Sequence, residues 1–517
     1  MPALFLLLAS WLAAQHGLFE EWDGCAQVFG AQEIAQGMGY TGWASHYWPP
    51  LFTLLLLLLS KGMTYFVAGK VISVVSGALL LAIIFPLAME LSRSRTVALA
   101  SQLLLATNQL FLNTSIQNEN HTLATMLFAL AMLLALIALR RQTLSWVLAW
   151  GAAAGLAAMA RYTNLILAPA GLVLILMLVH DRRRFAYALV FLTIFIAIGS
   201  PWYYLNHVNN GSPLANWHYE NIGREVIGRA WGITPAEFWW SAQSQFHNVR
   251  DIFLASPRDY CLNVLSKLKE TLSLIPTFTG LVGVVGLAGV LALPRLIDRR
   301  CWLTLWVTAA MYVGLTCQAF VYGVVMMPYL PFVALAAMLL LRALAHRLRR
   351  QKPHVPVMAL AGVVLALLLV ADVNVSCRNL TRYLKDTDDG GQMVAAQQVT
   401  QALKRDPQIA HKHVMALNPC RAYYSGSGYL LLPTYLQSDD PTTLVTYRGV
   451  PPEARQWALR YPFRPMVDRA DYLIFDRAAK VSLPQFAYLL DRDTARVPRN
   501  WRPVYAAPGI AVWAIRW

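Results

Sequence analysis

Charged side chains are scarce in this 517-residue chain, 14% against 57% hydrophobic, which is more apolar surface than a soluble core can bury. The same figures exclude a disordered or fibrous chain. Tandem repeats and low-complexity linkers are absent, and the six cysteines include no CxxC pair, so no zinc-site signature is present. Acids are few as well, 27 Asp and Glu against 43 Lys and Arg, for a formal charge of +16. In a soluble protein that balance would suggest nucleic acid. Here membrane topology accounts for much of it, and no nucleic-acid partner is expected. In place of charge the sequence carries long apolar runs, whereas its last third has an ordinary soluble composition, which excludes a purely helical channel.

Runs long enough to cross ~30 Å of hydrocarbon lie near 2–18, 67–88, 97–113, 122–139, 145–159, 164–180, 185–205, 272–292, 302–319, 327–345 and 355–373. They predict a multi-pass α-helical membrane protein with about eleven transmembrane helices. Segments of one parity are rich in arginine and nearly free of acids: Arg93/Arg95, Arg140-Arg141, Arg182 to Arg184, Arg295/Arg299/Arg300 and Arg347/Arg349/Arg350. Such loops belong on the cytoplasmic side. The N-terminus is then inside, and loops 19–66, 114–121 and 206–268, with everything after 374, lie on the outer face of the cytoplasmic (inner) membrane. The run at Pro49–Ser60 reaches only ~17 Å as a helix and reads as interfacial or re-entrant. The first helix is read as retained, since no basic segment precedes Phe5–Leu8, although Ala13-Ala14 would suit signal cleavage.

Beyond 374 the pattern changes to mixed α/β, with a helix near 390–405 and strands at His413–Leu417, Tyr472–Phe475 and Gly509–Ile515. The expected division is a membrane domain, 1–373, and a C-terminal α/β soluble domain, 374–517, in the periplasm. Cys25, Cys261, Cys377 and Cys420 fall outside, where disulfides persist. A Cys377–Cys420 bridge and free thiols are equally compatible with the sequence.

Acidic chemistry concentrates in the outer loops. The first reads Glu20-Glu21-Trp22-Asp23, then Gly37-Met38-Gly39-Tyr40 and His46-Tyr47-Trp48-Pro49-Pro50-Leu51. A carboxylate near a helix end beside a membrane cavity can take a proton from a hydroxyl or hold a cation. The alternative for Asp23 is a solvated acid. In the second loop Glu119 and His121 stand among amides where two helix ends converge, a cluster able to complete a substrate site, or with Asp23 a divalent-metal site. Capping is the simpler role for Asn118, Asn120 and Thr122.

Asp23, with Ala31 and Gly37 after it, then Gly39-Tyr40 and Pro49-Pro50-Leu51, resembles the first loop of bacterial GT-C glycosyltransferases related to protein O-mannosyltransferases and the lipid A aminoarabinose transferase. Glu119 opening the fourth helix, Ala160-Arg161-Tyr162-Thr163, Pro201-Trp202 followed by Gly211-Ser212-Pro213, Tyr423-Tyr424-Ser425-Gly426 and Asp471-Tyr472-Leu473-Ile474 are similar to further pieces of these enzymes. Departures are Gly24 where an acid often follows the first Asp, Val324-Val325 where Arg-Tyr often precedes the late Pro-x-x-Pro, and Trp48 before Pro49-Pro50. The resemblance implies a GT-C-like fold, a polyprenyl-phosphate sugar donor such as undecaprenyl phosphate, an outer-face acceptor (lipid A, glycan or protein) and Asp23 as catalytic carboxylate.

The expected activity is inverting sugar transfer. Cations for the donor phosphate are Arg161, His46, Lys70, Arg224, Arg258 and His121, with Lys61 and Arg229 as further candidates. Arg161 is favoured, because a cation in an apolar turn needs an anionic partner. The lysines can also simply snorkel and the loop arginines anchor to headgroups. Rival classes are a transporter or flippase of lipid-linked sugars, which would place ionisable groups at mid-membrane, and a non-catalytic lipid-binding assembly subunit.

Overall fold

The computed structural model describes residues 1–15, 22–37, 39–40, 43–180, 182–216, 218–233, 238, 245–318, 323–352, 354, 356–385, 392–418, 420, 422, 425–433, 439–446, 469–491 and 496–517. In chain order the helices are α1 (Pro2–Gln15), α2 (Trp22–Ala35), α3 (Trp43–Tyr47), α4 (Leu51–Leu59), α5 (Tyr65–Ser92), α6 (Arg95–Thr107), α7 (Gln109–Ile116), α8 (His121–Arg141), α9 (Leu144–Ala160), α10 (Leu167–Leu178) and α11 (Arg183–Asn210). They continue with α12 (His218–Trp231), α13 (Val249–Ala255), α14 (Pro257–Leu296), α15 (Arg299–Thr316), α16 (Leu330–Gln351), α17 (Val357–Lys385) and α18 (Gln392–Lys404). Strands β1 (His413–Ala416), β2 (Gly428–Leu431), β3 (Tyr472–Asp476), β4 (Trp501–Ala507) and β5 (Ile510–Ile515) follow. Two compact units form, neither continuous in sequence. One holds Met1–Gln15, Trp48–Ala215 and Cys261–Thr381; the other holds His16–Tyr47, Asn216–Tyr260 and Arg382–Trp517.

The first unit is a helical, multi-pass membrane bundle. Tyr65–Ser92, His121–Arg141, Arg183–Asn209, Val325–Gln351 and Ala359–Arg378 are long and apolar enough to cross a bilayer, and Pro2–Gln15, Leu144–Ala160, Tyr162–Leu178 and Gly280–Leu296 are shorter apolar helices. Helix α9 is rich in Ala and Gly because it packs at close range. A Cβ on Gly151 would stand 2.9 Å from the Phe191 carbonyl, and one on Gly155 would stand 3.0 Å from that of Phe195. Small residues four apart bring α9 and α11 into backbone contact, the usual way membrane helices gain packing where lipid offers no hydrophobic drive.

The ends of the bundle are polar. Arg140 pairs with Glu90 at 2.5 Å and Arg342 donates to the Ser92 carbonyl at 2.6 Å, so the basic ends of α8 and α16 meet the end of α5. Helix α4 spans nine residues, ~13 Å at helical rise, and cannot cross. It buries Phe52, Thr53 and Leu56 and exposes Leu54 and Leu58, the one-sided burial expected of the Pro49–Ser60 segment. An intramembrane acid not singled out in the sequence, Asp372, is buried and accepts from the Thr107 hydroxyl at 3.1 Å. Ser376 donates to the Thr107 carbonyl at 2.6 Å, and together they fasten α17 to the end of α6.

In the second unit the five strands run in the order β2-β1-β3-β5-β4. Strands β1, β2 and β3 are mutually parallel, and β5 runs antiparallel to both β3 and β4. Central β3, Tyr-Leu-Ile-Phe-Asp, is buried at every position, which explains its unbroken apolar sequence. Its acid ends terminate it: Asp471 accepts from the His413 backbone N–H at 2.8 Å, and Asp476 caps the next helix by accepting from Ala479 N at 2.8 Å. Helix 390–405 and three strands lie where the sequence placed them. Strands β2 and β4 are additional.

Cysteine pairing differs from the bridge considered above. Cys420 is bonded to Cys25, 395 residues away, and Cys377 is a free, exposed thiol on α17. The Cys377–Cys420 bridge does not form, because α2 and the sheet fold into one unit that brings Cys25 to Cys420.

Candidate functional site

In the first unit the chain between α7 and α8 turns through Gln117 to Asn120, and Glu119 is buried to 8% exposure. Its carboxylate lies 2.8 Å from His121 Nε2, while His121 Nδ1 meets the Arg161 guanidinium. Arginine can only donate, so Nδ1 accepts and Nε2 carries the proton given to Glu119. The result is a relay of one buried anion, one buried neutral imidazole and one half-buried cation, which avoids an uncompensated charge.

Three features hold it. Arg161 adopts an extended backbone (φ −158°, ψ 134°) where α9 stops, which lifts it out of the helix. Asn120 Nδ2 then donates to the Ala160 carbonyl at 2.9 Å, and Ser73 of α5 donates to the Glu119 carbonyl at 3.1 Å. Capping does not describe these amides: Asn120 precedes α8 without a side-chain cap bond, and the side chains of Asn118 and Thr122 are buried without a hydrogen-bond partner.

An apolar cleft of about 180 Å³ is walled by Phe128, Leu272, Leu305, Tyr329 and Phe332 among others. Tyr312 stands edge-on to two of these walls, 5.6 Å from the Phe128 ring and 5.0 Å from that of Tyr329. Its hydroxyl donates at 3.4 Å to Thr163, two residues past Arg161. Tyr312 thus stands between two walls of the cleft and the turn that carries Arg161. Lys70, near the N-terminus of α5, donates to the Ala13 carbonyl at 2.9 Å, closing the last turn of α1; Lys61 is exposed.

Asp23 belongs to the second unit, half-buried in the first turn of α2, where the positive end of the helix dipole favours an acid. Cys25 and Phe29, one helical turn apart, face the sheet: Cys25 is bonded to Cys420, and Phe29 stacks on Tyr429 with ring centroids 6.4 Å apart. Gly30 packs against α3, since a Cβ there would stand 2.7 Å from the Tyr40 ring and 3.0 Å from Ala44. Helix α3 is held in turn by α12. Tyr47 donates to Glu220 Oε2 at 2.8 Å, and His218 Nε2 lies 2.8 Å from the Tyr47 carbonyl. Glu220 is fully buried.

The sequence did not single out Cys25, Tyr47, His218 or Glu220 for these roles, and no local signal could have, with partners 171 to 395 residues apart. Arg224 lies 3.7 Å from neighbouring Glu225, and Arg258 and Arg229 are exposed. The side chain of His46, and Glu20, Glu21, Tyr423 and Tyr424, lie outside the described residues. Glu119, His121 and Arg161 are therefore brought together; Asp23, Arg224 and Arg258 are positioned within the other unit. Among the described residues no three His, Cys, Asp or Glu side chains converge to hold a metal ion. Both ring nitrogens of His121 are also engaged, so as arranged this pair does not fit a metal centre.

A sequence profile of the family described as dolichyl-phosphate-mannose-protein mannosyltransferase matches residues 49–204. No curated protein matches the chain. Among solved structures, ArnT from Cupriavidus metallidurans bound to undecaprenyl phosphate is similar with a TM-score of 0.54 at 14% identity, covering 99% of this chain and 97% of that one. The archaeal oligosaccharyltransferase AglB from Archaeoglobus fulgidus, in complex with an inhibitory peptide and a dolichol-phosphate, gives 0.59 at 13% identity, covering 97% of this chain and 72% of that one. The fold is that of the GT-C glycosyltransferases, and the resemblance read from the sequence motifs is borne out.

Proposed function

We propose, from the premise of a GT-C glycosyltransferase fold, that this protein transfers a sugar from a polyprenyl-phosphate donor to an acceptor on the outer face of the cytoplasmic membrane, inverting the anomeric carbon. About eleven spans with the N-terminus inside, a membrane domain over 1–373 and a periplasmic domain over 374–517 belong to this reading. The observation that carries it is the apolar cleft whose walls Phe128 and Tyr329 pack on Tyr312, which bonds Thr163, two residues past Arg161. An oily cavity with a half-buried cation beyond one wall suits an amphiphile with a single anionic head. ArnT bound to undecaprenyl phosphate and AglB with a dolichol-phosphate support a ligand of that class.

In the reaction, Asp23 takes the proton of the acceptor hydroxyl as its oxygen attacks the anomeric carbon. The bond from that carbon to the phosphate oxygen breaks, and the polyprenyl phosphate leaves with both bonding electrons. Arg161, oriented by the Glu119–His121 pair, stabilises the charge that grows on the phosphate. Neutral His121 passes the influence of Glu119 to the guanidinium without adding a second positive charge.

Mass spectrometry of lipids co-purifying in mild detergent tests this. A polyprenyl phosphate or its sugar ester, enriched over bulk phospholipid in wild type, retained by Asp23→Asn and depleted in Arg161→Ala, is the expected result. Bulk phospholipid alone in all three overturns it.

A further inference from the structure

Helix α2 carries its candidate base and its anchor on opposite faces. Residues two apart on a helix are separated by about 200°, so the Cys25 side chain that reaches Cys420 leaves Asp23 pointing away from the sheet. Phe29, one turn after Cys25, extends the anchored face onto Tyr429, which lies in the domain core with β1 and β3. Gly30, seven residues after Asp23 and thus on its face, lies against Tyr40 and Ala44. The helix is therefore clamped between the sheet, by a covalent bond and a stacked ring, and α3, which Tyr47 ties to buried Glu220. Both cysteines are fully buried, and Cys420 follows Leu417 and Asn418 at the end of β1, donating its backbone N–H to the Asn418 side chain at 2.9 Å.

We propose that the Cys25–Cys420 disulfide positions Asp23: the outer sheet domain, through this bond, sets the rotation and height of α2 and so the direction in which the Asp23 carboxylate meets the acceptor. The bond touches no substrate and acts only through the helix. The inference rests on the reading of Asp23 as general base, and it assigns the sheet domain a part in the chemistry. A misplacement of about 1 Å in a reacting group can cost on the order of 10²-fold in rate, so a base in the first turn of a helix needs such a fixture.

The test uses the full-length protein in detergent with Cys25→Ala, Cys420→Ala and the double variant, alongside Cys377→Ala, which removes an exposed thiol outside the clamp. Turnover of the host's polyprenyl-phosphate sugar fraction is measured below the melting temperature of every variant, with hydrogen exchange of residues 22–35. The expected result is a fall in kcat of roughly tenfold to 10²-fold, equal in both single variants and the double, with KM for the lipid unchanged, faster exchange in α2 and wild-type behaviour in Cys377→Ala. Equality of the three is the mark of one shared bond. Wild-type kcat in all three with only a lowered melting temperature shows a merely structural staple and overturns the proposal, as does alkylation of Cys25 and Cys420 in unreduced wild type. No turnover by the wild type overturns the transferase reading itself, and the proposal with it.

Discussion

The two units hold their carboxylates in opposite ways. In the helical bundle, Glu119 is fixed by partners on neighbouring helices through His121 and Arg161, no more than 42 positions along the chain. The force there is electrostatic: three polar groups at apolar helix ends are each too costly to bury alone. Asp23 sits on a helix fixed by a disulfide to a residue 395 positions away and by a second loop through Tyr47 and Glu220, 173 positions apart. The first arrangement assembles as adjacent helices pack; the second exists only after the whole chain has folded. A site kept by local charge balance should respond to charge and polarity, whereas one kept by long-range fixtures should respond to geometry.

Removing the base gives the largest expected effect and breaks the comparison at its centre. Asp23→Asn should lower kcat by about 10²- to 10⁴-fold, the contribution of a positioned general base, with expression and lipid retention unchanged; sugar transfer at the wild-type rate would remove Asp23 from the reaction. Arg161→Ala tests the other side. Loss of a charged hydrogen bond to phosphate, ~1.5–3 kcal/mol, should weaken polyprenyl-phosphate binding by roughly 10- to 150-fold, measured by titration of the purified protein, and Arg161→Lys should recover only part of it because the planar fork is lost.

A smaller effect is expected from Tyr47→Phe. It deletes one hydrogen bond to fully buried Glu220 and should cost about 1.5–3 kcal/mol of stability, seen as a lower melting temperature with lipid binding intact; an unchanged melting temperature would show that α3 is not held there. The smallest effect concerns the sheet alone. Burial pushes the Asp471 carboxyl up, but the His413 imidazole 3.8 Å away, the hydrogen bond from the His413 backbone N–H and the Lys412 charge outweigh it and leave it below the usual carboxylate range. Asp406, accepting from the Tyr472 hydroxyl, is lowered too. A depressed carboxylate stabilises the fold above its unfolded value near pH ~3.9, and that stability is lost as pH falls through the folded value. The melting temperature of the sheet domain should therefore hold from pH 7 to about 5 and fall below about 4. Asp471→Asn should lessen that slope, and an identical acid profile in the variant would exclude Asp471 as its cause.

Much of the fold was legible in the sequence because its causes are local. Apolar length decides which helices can span; the acid-flanked apolar run decided β3; the short reach of Pro49–Ser60 decided α4. Strand β2, four residues without polar alternation, and β4, with an exposed Arg502-Pro503 stretch, carry weak periodicity and gain their state from pairing with β1 and β5. At the site, residue types marked Glu119, His121 and Arg161 as candidates, since buried ionisable groups at helix ends are rarely idle, but their order of contact came from packing α8 against α9.

The sequence by itself determined a multi-pass helical chain, a C-terminal α/β region and the acids of its polar loops, because hydropathy and charge act residue by residue. Tertiary structure alone decided the Cys25–Cys420 bond in place of Cys377–Cys420, the Tyr47–Glu220 tie and the imidazole bridging Glu119 and Arg161. Each depends on which distant segments share a surface. That is set by summed packing over the whole chain and leaves no periodic trace in any one segment.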